Sequence, residues 1–181
     1  MSDKDAVRKA GHELLTRIET AMQKVDWPSF FSLADAVSQS QRTFVTGAGR
    51  SGLVARMFAM RLMHAGLEAF IPGDTVTPAA KAGDLLVAIS CTGNTGYTKY
   101  LAERAKSLGA KVLVITSIPE SPLASVADLV VTIPAVADDI VLRAAVFEHA
   151  SSLCLDAVFN VISERFHIDT EAFKARHANL E

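Results

Sequence analysis

The 181 residues carry 18 Lys plus Arg against 20 Asp plus Glu, a formal net charge of −2, and half of them are hydrophobic. This is the balance of an ordered chain of one-domain size, without the basic field that draws nucleic acid or an anionic membrane surface, so an anion has to be held by a shaped local site. Cys91 and Cys154 set no disulfide framework, and the five histidines show no metal-ligand pattern with cysteine or carboxylate. The N-terminus "MSDKDAVRKAG" is charged, and no apolar run reads as a membrane span, so a cytoplasmic enzyme or binding protein is expected.

In chain order, residues 3–38 predict two helices. Leu14, Ile18, Met22 and Val25 keep helical spacing, and Trp27-Pro28 interrupts it before "SFFSLADAVSQS". Short apolar runs then recur at 43–46, 68–71, 84–89, 111–115 and 129–133. Helical stretches at 51–65 and 95–108 and a short turn near 121–126 separate most of them. A long helix over 143–165 and a helical tail over 166–181 close the chain. Continuous apolar strands alternating with helices predict a three-layer α/β/α fold around a five-stranded parallel sheet. With the flavodoxin-like strand order 2-1-3-4-5, the whole chain, 1–181, reads as a single domain.

Two loops fall at strand ends that also open helices. The first run leads into "TGAGRSG" and the third into "SCTGNTG". Helix N-termini present unpaired N–H groups and the positive end of the helix dipole, which favour an anion. In the expected strand order the first and third strands are neighbours at the topological switch point, so the two loops flank one crevice. Ser90, Thr92 and Thr95 supply hydroxyls, Asn94 an amide, and Gly93 close backbone approach, a set suited to a phosphate monoester. Gly49, Arg50 and Ser51 face it as candidates for the rest of a compact charged sugar. The competing explanation for the second loop is an ordinary N-cap cluster, since Ser, Thr and Asn are the preferred caps.

Two rival chemistries share these loops. Cys91 at a helix start could be a nucleophile of lowered pKa. A phosphatase-type loop would need an arginine six residues on, where Tyr97 stands, so Cys91 reads as a small filler. Gly47, Gly49 and Gly52 match the dinucleotide fingerprint G-x-G-x-x-G, with Asp74 near the ribose-binding position. The hydroxyl loop and the lack of residues for a substrate domain count against a nucleotide.

The segment Ser90 to Thr95 resembles the S-x-[ST]-G-x-T phosphate loop of the SIS (sugar isomerase) domain family. "GAGRSGLVARMFAMRLMHAGL", "GDTVTPA", "KAGDLLV", "ADLVV" and "RHANLE" are similar to its 6-phospho-3-hexuloisomerase branch, from about residue 42 onward. The resemblance implies interconversion of a 3-hexulose 6-phosphate with fructose 6-phosphate in the ribulose monophosphate route, by a cytoplasmic homotetramer that uses no metal or other cofactor. A sugar-phosphate-binding module without catalysis is the alternative within the family. Two features depart from its pattern: Cys91 and Asn94 stand where many relatives have Gly and Glu or Thr, and "DDIVLRAAVFE" replaces a polar "PMG" segment before "FE".

Moving a carbonyl along a sugar needs a base that takes a proton from a hydroxyl-bearing carbon and returns it to the neighbouring carbon. Glu148, which matches the "FE" of the family, is the candidate; it shares a helix face with Leu155 and Phe159 and so is sheltered from water. His64 lies 14 residues after Arg50, about 20 Å along the helix at ~1.5 Å per residue. It cannot serve the site built by its own loop. It is either a structural cap before Gly66 or a residue that reaches a neighbouring subunit's site, as the resemblance implies. His177 is a second candidate of the same kind. Leu53, Met57, Met60 and Met63 widen the apolar surface of that helix, consistent with packing on a partner subunit.

Overall fold

β1 (Thr43–Gly47), β2 (Ala69–Phe70), β3 (Leu85–Ile89), β4 (Lys111–Thr116) and β5 (Leu129–Thr132) pair in parallel in the order β2-β1-β3-β4-β5. This is the strand order expected from the sequence; it comes from a computed structural model that describes residues 3–137 and 139–179. The register sets Val45 opposite Val87 and Val87 opposite Leu113. Successive strand residues point to opposite faces. Val45, Val87, Leu113, Ile115 and Val131 enter one core, and Phe44, Leu86, Ala88, Val112 and Val114 the other. Burial on both faces is why the strands read as unbroken apolar runs.

The larger core is covered by α1 (Asp3–Gln23), α2 (Trp27–Gln39), α3 (Gly49–His64) and α5 (Ile140–Arg165). They contribute Ala21, Leu33, Phe58 and Phe147 to it. The smaller core lies under α4 (Gly96–Ser107), through Ala102 and Ala105, and beside a 3-10 turn at Ala124–Val126. Leu33 is fully buried, so its truncation to alanine is worth about 2–5 kcal/mol.

Helix ends shift for identifiable reasons. α2 starts at Trp27 with Pro28 in its first turn, where the missing N–H costs nothing. α5 starts three residues before the predicted 143, because Asp139 caps it: Oδ1 accepts from Val141 N at 2.6 Å and Leu142 N at 2.9 Å. Among the described residues of the tail, Thr170–Ala175 alone is helical, as α6, with Asp169 accepting from Ala172 N at 2.7 Å.

α5, with 26 residues, is long and apolar enough to cross a membrane by length and composition. Its buried residues, among them Val146, Phe147, Ala150, Val158 and Ile162, instead fill the core against α1, α2 and α3. A helix enclosed on several sides loses its polar stripe, which accounts for the hydropathy.

Candidate functional site

Gly47, at the end of β1, lies in register with Ile89, at the end of β3, so the loops that follow emerge side by side. β1 continues into α3 on one face of the sheet and β3 into α4 on the other, which opens the crevice between them. In the first loop, two glycines bring helix and strand into contact. A Cβ on Gly47 would lie 2.8 Å from the Ser51 carbonyl, and one on Gly52 would lie 2.8 Å from the Gly47 oxygen. Larger residues would push α3, and its first amides, away from the strand end. Gly49 and Arg50 are exposed there and Ser51 is buried.

The second loop is held by its own hydroxyls. Ser90 is buried, and its Oγ accepts from Gly93 N at 3.2 Å and lies 3.4 Å from Thr95 Oγ1. Thr92 Oγ1 accepts from Asn94 N at 3.3 Å. Gly93 has φ +64°, and a Cβ on it would overlap the Ser121 side chain. Any other residue would therefore deform the loop. From below, Thr116 Oγ1 and Ser117 Oγ donate to the Cys91 carbonyl at 3.1 and 2.7 Å. These supports at the end of β4 were missed in the sequence; their only signal was a run of hydroxyl residues, 116–117, following the apolar strand.

α3 has Ala48 as its N-cap and α4 has Thr95, and neither helix receives a side-chain cap bond. The ordinary N-cap explanation of the hydroxyl loop therefore lacks its hydrogen bond, while both helix starts keep amides available to an external acceptor. Thr92 and Thr95 are half-buried and Asn94 is exposed at this rim.

The third wall is α5. Glu148 is 7% exposed, and Arg50 Nε donates to its Oε2 across 98 residues of sequence. The Arg50 side chain is itself 64% exposed, so donors of its guanidinium remain open to the crevice. The fold thus joins Gly49, Arg50, Ser51, Ser90, Thr92, Asn94, Thr95 and Glu148 around one cleft. Also missed in the sequence was Arg143, in the first turns of α5, whose Nε and Nη2 donate to the Ala137 carbonyl at 3.2 and 2.9 Å. Burial pushes the Cys91 thiol above its ordinary value, with a smaller contribution from Glu148, against the Ser117 hydroxyl and the Arg143 charge, which pull it down. A raised thiol is a poor nucleophile, and it agrees with Cys91 as a filler.

His64 is not brought to this cleft. It is 2% exposed at the opposite end of α3, with its ring 4.2 Å from that of His177 and 4.7 Å from that of Phe173. Nor does its imidazole cap the helix: neither ring nitrogen has a hydrogen-bond partner among the described residues. Arg176 does so instead, donating to the His64 carbonyl at 3.3 Å. Asp74 is engaged by Arg56 of α3 at 3.0 and 2.7 Å, a hydrogen-bonded pairing that holds its carboxyl below the usual range. A groove of about 640 Å³ between α2 and α5 is apolar and lined by Trp27, Phe30, Phe31 and Val161; it does not include the cleft residues. Among the described residues no three metal-ligating side chains come together.

Residues 36–159 match the SIS domain family model. A 3-hexulose-6-phosphate isomerase of Mycobacterium gastri is 42% identical over 97% of this chain and 96% of its own length. The 3-hexulose-6-phosphate isomerase of Bacillus subtilis is 36% identical over 93% of this chain and 96% of its own. Among solved structures, a protein of Methanococcus jannaschii superposes with a TM-score of 0.85 at 30% identity, covering 93% of this chain and 99% of that one. Its structure was described as inferring a molecular function of 3-hexulose-6-phosphate isomerase.

Proposed function

Because the chain belongs to the SIS domain family and is an isomerase of its sugar-phosphate class, we propose that it interconverts a 3-hexulose 6-phosphate and fructose 6-phosphate through a cis-enediolate. The observation that carries this reading is the cleft itself: two helix starts without side-chain caps beside a sheltered carboxylate paired with an arginine.

The phosphate dianion sits on the Ser90, Thr92 and Thr95 hydroxyls, Asn94 and the amides of the loop, where many short hydrogen bonds and the α4 dipole favour it. Gly49, Arg50 and Ser51 meet the sugar chain. Glu148 takes the proton from C2 of the 3-hexulose. The electron pair of that C–H bond forms the C2=C3 bond, and the carbonyl oxygen on C3 gains the charge. The protonated Glu148 then returns the proton to C3, while the C2 hydroxyl passes its own proton to the oxyanion on C3, which becomes a hydroxyl as C2 becomes the carbonyl. Arg50 holds the carboxylate in place at rest, and its free donors serve the enediolate oxygens.

The reading extends to place and assembly. The chain acts in the cytoplasm, in the ribulose monophosphate route, as one SIS domain that includes its N-terminal helices. Leu33 and Phe30 of α2 share the main core, which supports that unity. It assembles as a homotetramer with sites near subunit interfaces, for which the exposed Leu53, Met57 and Met60 of α3 offer apolar surface. In that assembly His64, and more weakly His177, would approach a neighbour's cleft once the tail above His64 is displaced.

The test is turnover in deuterated water. Fructose 6-phosphate incubated with the protein gains deuterium at C3 if the enediolate forms. Binding without incorporation would make the chain a sugar-phosphate-binding module and overturn the reaction.

A further inference from the structure

The end of α3 remote from the cleft holds a buried ionisable side chain without a polar partner. Both ring nitrogens of His64 are enclosed and unpaired among the described residues. A neutral imidazole carries one donor and one acceptor, so this enclosure is costly and a charged ring would be costlier. What encloses it is the tail. His177 stacks on it with ring planes 22° apart, and Phe173 leans on it at 58° and in turn meets Phe159 of α5 at 6.2 Å. Arg176 fastens the same segment, from its guanidinium to the His64 carbonyl at 3.3 Å and to the Ala172 carbonyl at 3.0 Å.

The charges around the ring have one sign. Arg61 lies one turn back on α3, and Arg176 and His177 come from the tail. On α5, Asp156 is ion-paired with Arg61 at 3.2 Å, and on α6 Glu171 is paired with Lys174 at 3.2 Å. Among the described residues, both of these carboxylates are thus engaged by other cations. The tail also has a joint: His167, between α5 and α6, has φ 50°, a left-handed conformation uncommon outside glycine.

We propose that residues 170–177 are a strap over His64, fastened while the His64 imidazole is neutral and released when it takes a proton. Release turns the strap about His167 and uncovers His64 beside Met60 and Met63. The sign follows from proton linkage. Burial first, then His177 and Arg61, hold His64 below its ordinary value in the fastened state. The released state therefore binds more protons, and opening is favoured as pH falls below about 6.5, the value of a free imidazole. At about pH 5.5 the opening constant should stand above its value at pH 8, by at most roughly tenfold from His64 alone.

The strap is tested apart from the isomerase reading, because it is read by amide hydrogen exchange and not by turnover. Exchange of residues 170–177 in the full chain, corrected for the intrinsic effect of pH, is compared at about pH 8 and about pH 5.5. We expect a loss of protection at the lower pH in the native protein, of up to roughly tenfold. In His64→Phe, which keeps the ring stack and removes the titration, most of that loss should disappear. Equal protection at both pH values, or an undiminished loss in His64→Phe, overturns the strap. Should that variant not fold, the imidazole proton resonances of the native protein decide. His64 must titrate below its ordinary value with the Phe173 ring signals moving alongside, and a His64 at the ordinary value beside a still Phe173 overturns it equally.

Discussion

The two ends of α3 dispose of their polar groups in opposite ways. At the N-terminal end the helix starts without a side-chain cap, Arg50 is mostly exposed, and a carboxylate from α5 is drawn to the mouth. At the C-terminal end Arg176 covers the last carbonyl, and the His64 ring is shut away with its nitrogens unpaired. Unsatisfied donors at an open cleft invite a ligand, since their hydrogen bonds can be completed by one. Unsatisfied groups sealed under a terminal segment invite a change of state, since water completes them on opening. On the two proposals above, one helix carries binding at one end and a latch at the other.

Substitutions at the two ends should separate these roles, and the largest effect belongs to the cleft. Glu148→Gln keeps the size of the side chain and removes the base, so turnover and C3 exchange should fall by about 10²–10⁴-fold. Stabilisation of the protein by bound sugar phosphate, read as a thermal shift, should survive.

Gly93→Ala should come next. Its Cβ would overlap the Ser121 side chain at a left-handed φ, so the loop must deform at a cost of about 1–3 kcal/mol. Affinity for sugar phosphate should drop by tenfold or so, and Ser121→Gly added to it should restore part of that by relieving the overlap. Ser90→Ala removes a hydroxyl that braces the loop and, on the proposed reading, meets the phosphate, worth about 1 kcal/mol or a fivefold change in dissociation constant by calorimetry.

At the other end the effects are smaller and of a different kind. Arg176→Ala should lower the melting temperature by a few degrees, about 0.5–1.5 kcal/mol, and raise exchange in the tail without altering sugar-phosphate affinity. Any change in that affinity would show that the two ends are coupled. The smallest signal concerns Cys91. With its thiol raised by burial, alkylation by iodoacetamide near neutral pH should be slow and quicken as pH rises, followed by mass spectrometry.

The strands were legible in the sequence because burial on both faces turns them into continuous apolar runs, and the strand order is the flavodoxin-like one that this alternation of strands and helices suggests. Both cleft loops were legible for the same reason: each is short, local in sequence and bounded by a strand and a helix. The Arg50–Glu148 pair was not, since 98 residues of chain separate the partners and neither motif encodes the other. The early start of α5 was hidden because Asp139, a cap, precedes the apolar period and interrupts its count. His64 shows the same limit more sharply. Its helical position gave the distance from the cleft correctly, but what covers it depends on the tail folding back over more than a hundred residues of chain.

The position of the phosphate tests the central claim most directly. A crystal structure of the protein grown with fructose 6-phosphate should place the phosphate oxygens within hydrogen-bonding reach of Ser90, Thr92 and Thr95, and set C3 against the Glu148 carboxylate. A dianion seated elsewhere, with those hydroxyls unengaged and Glu148 facing no carbon of the sugar, would contradict it.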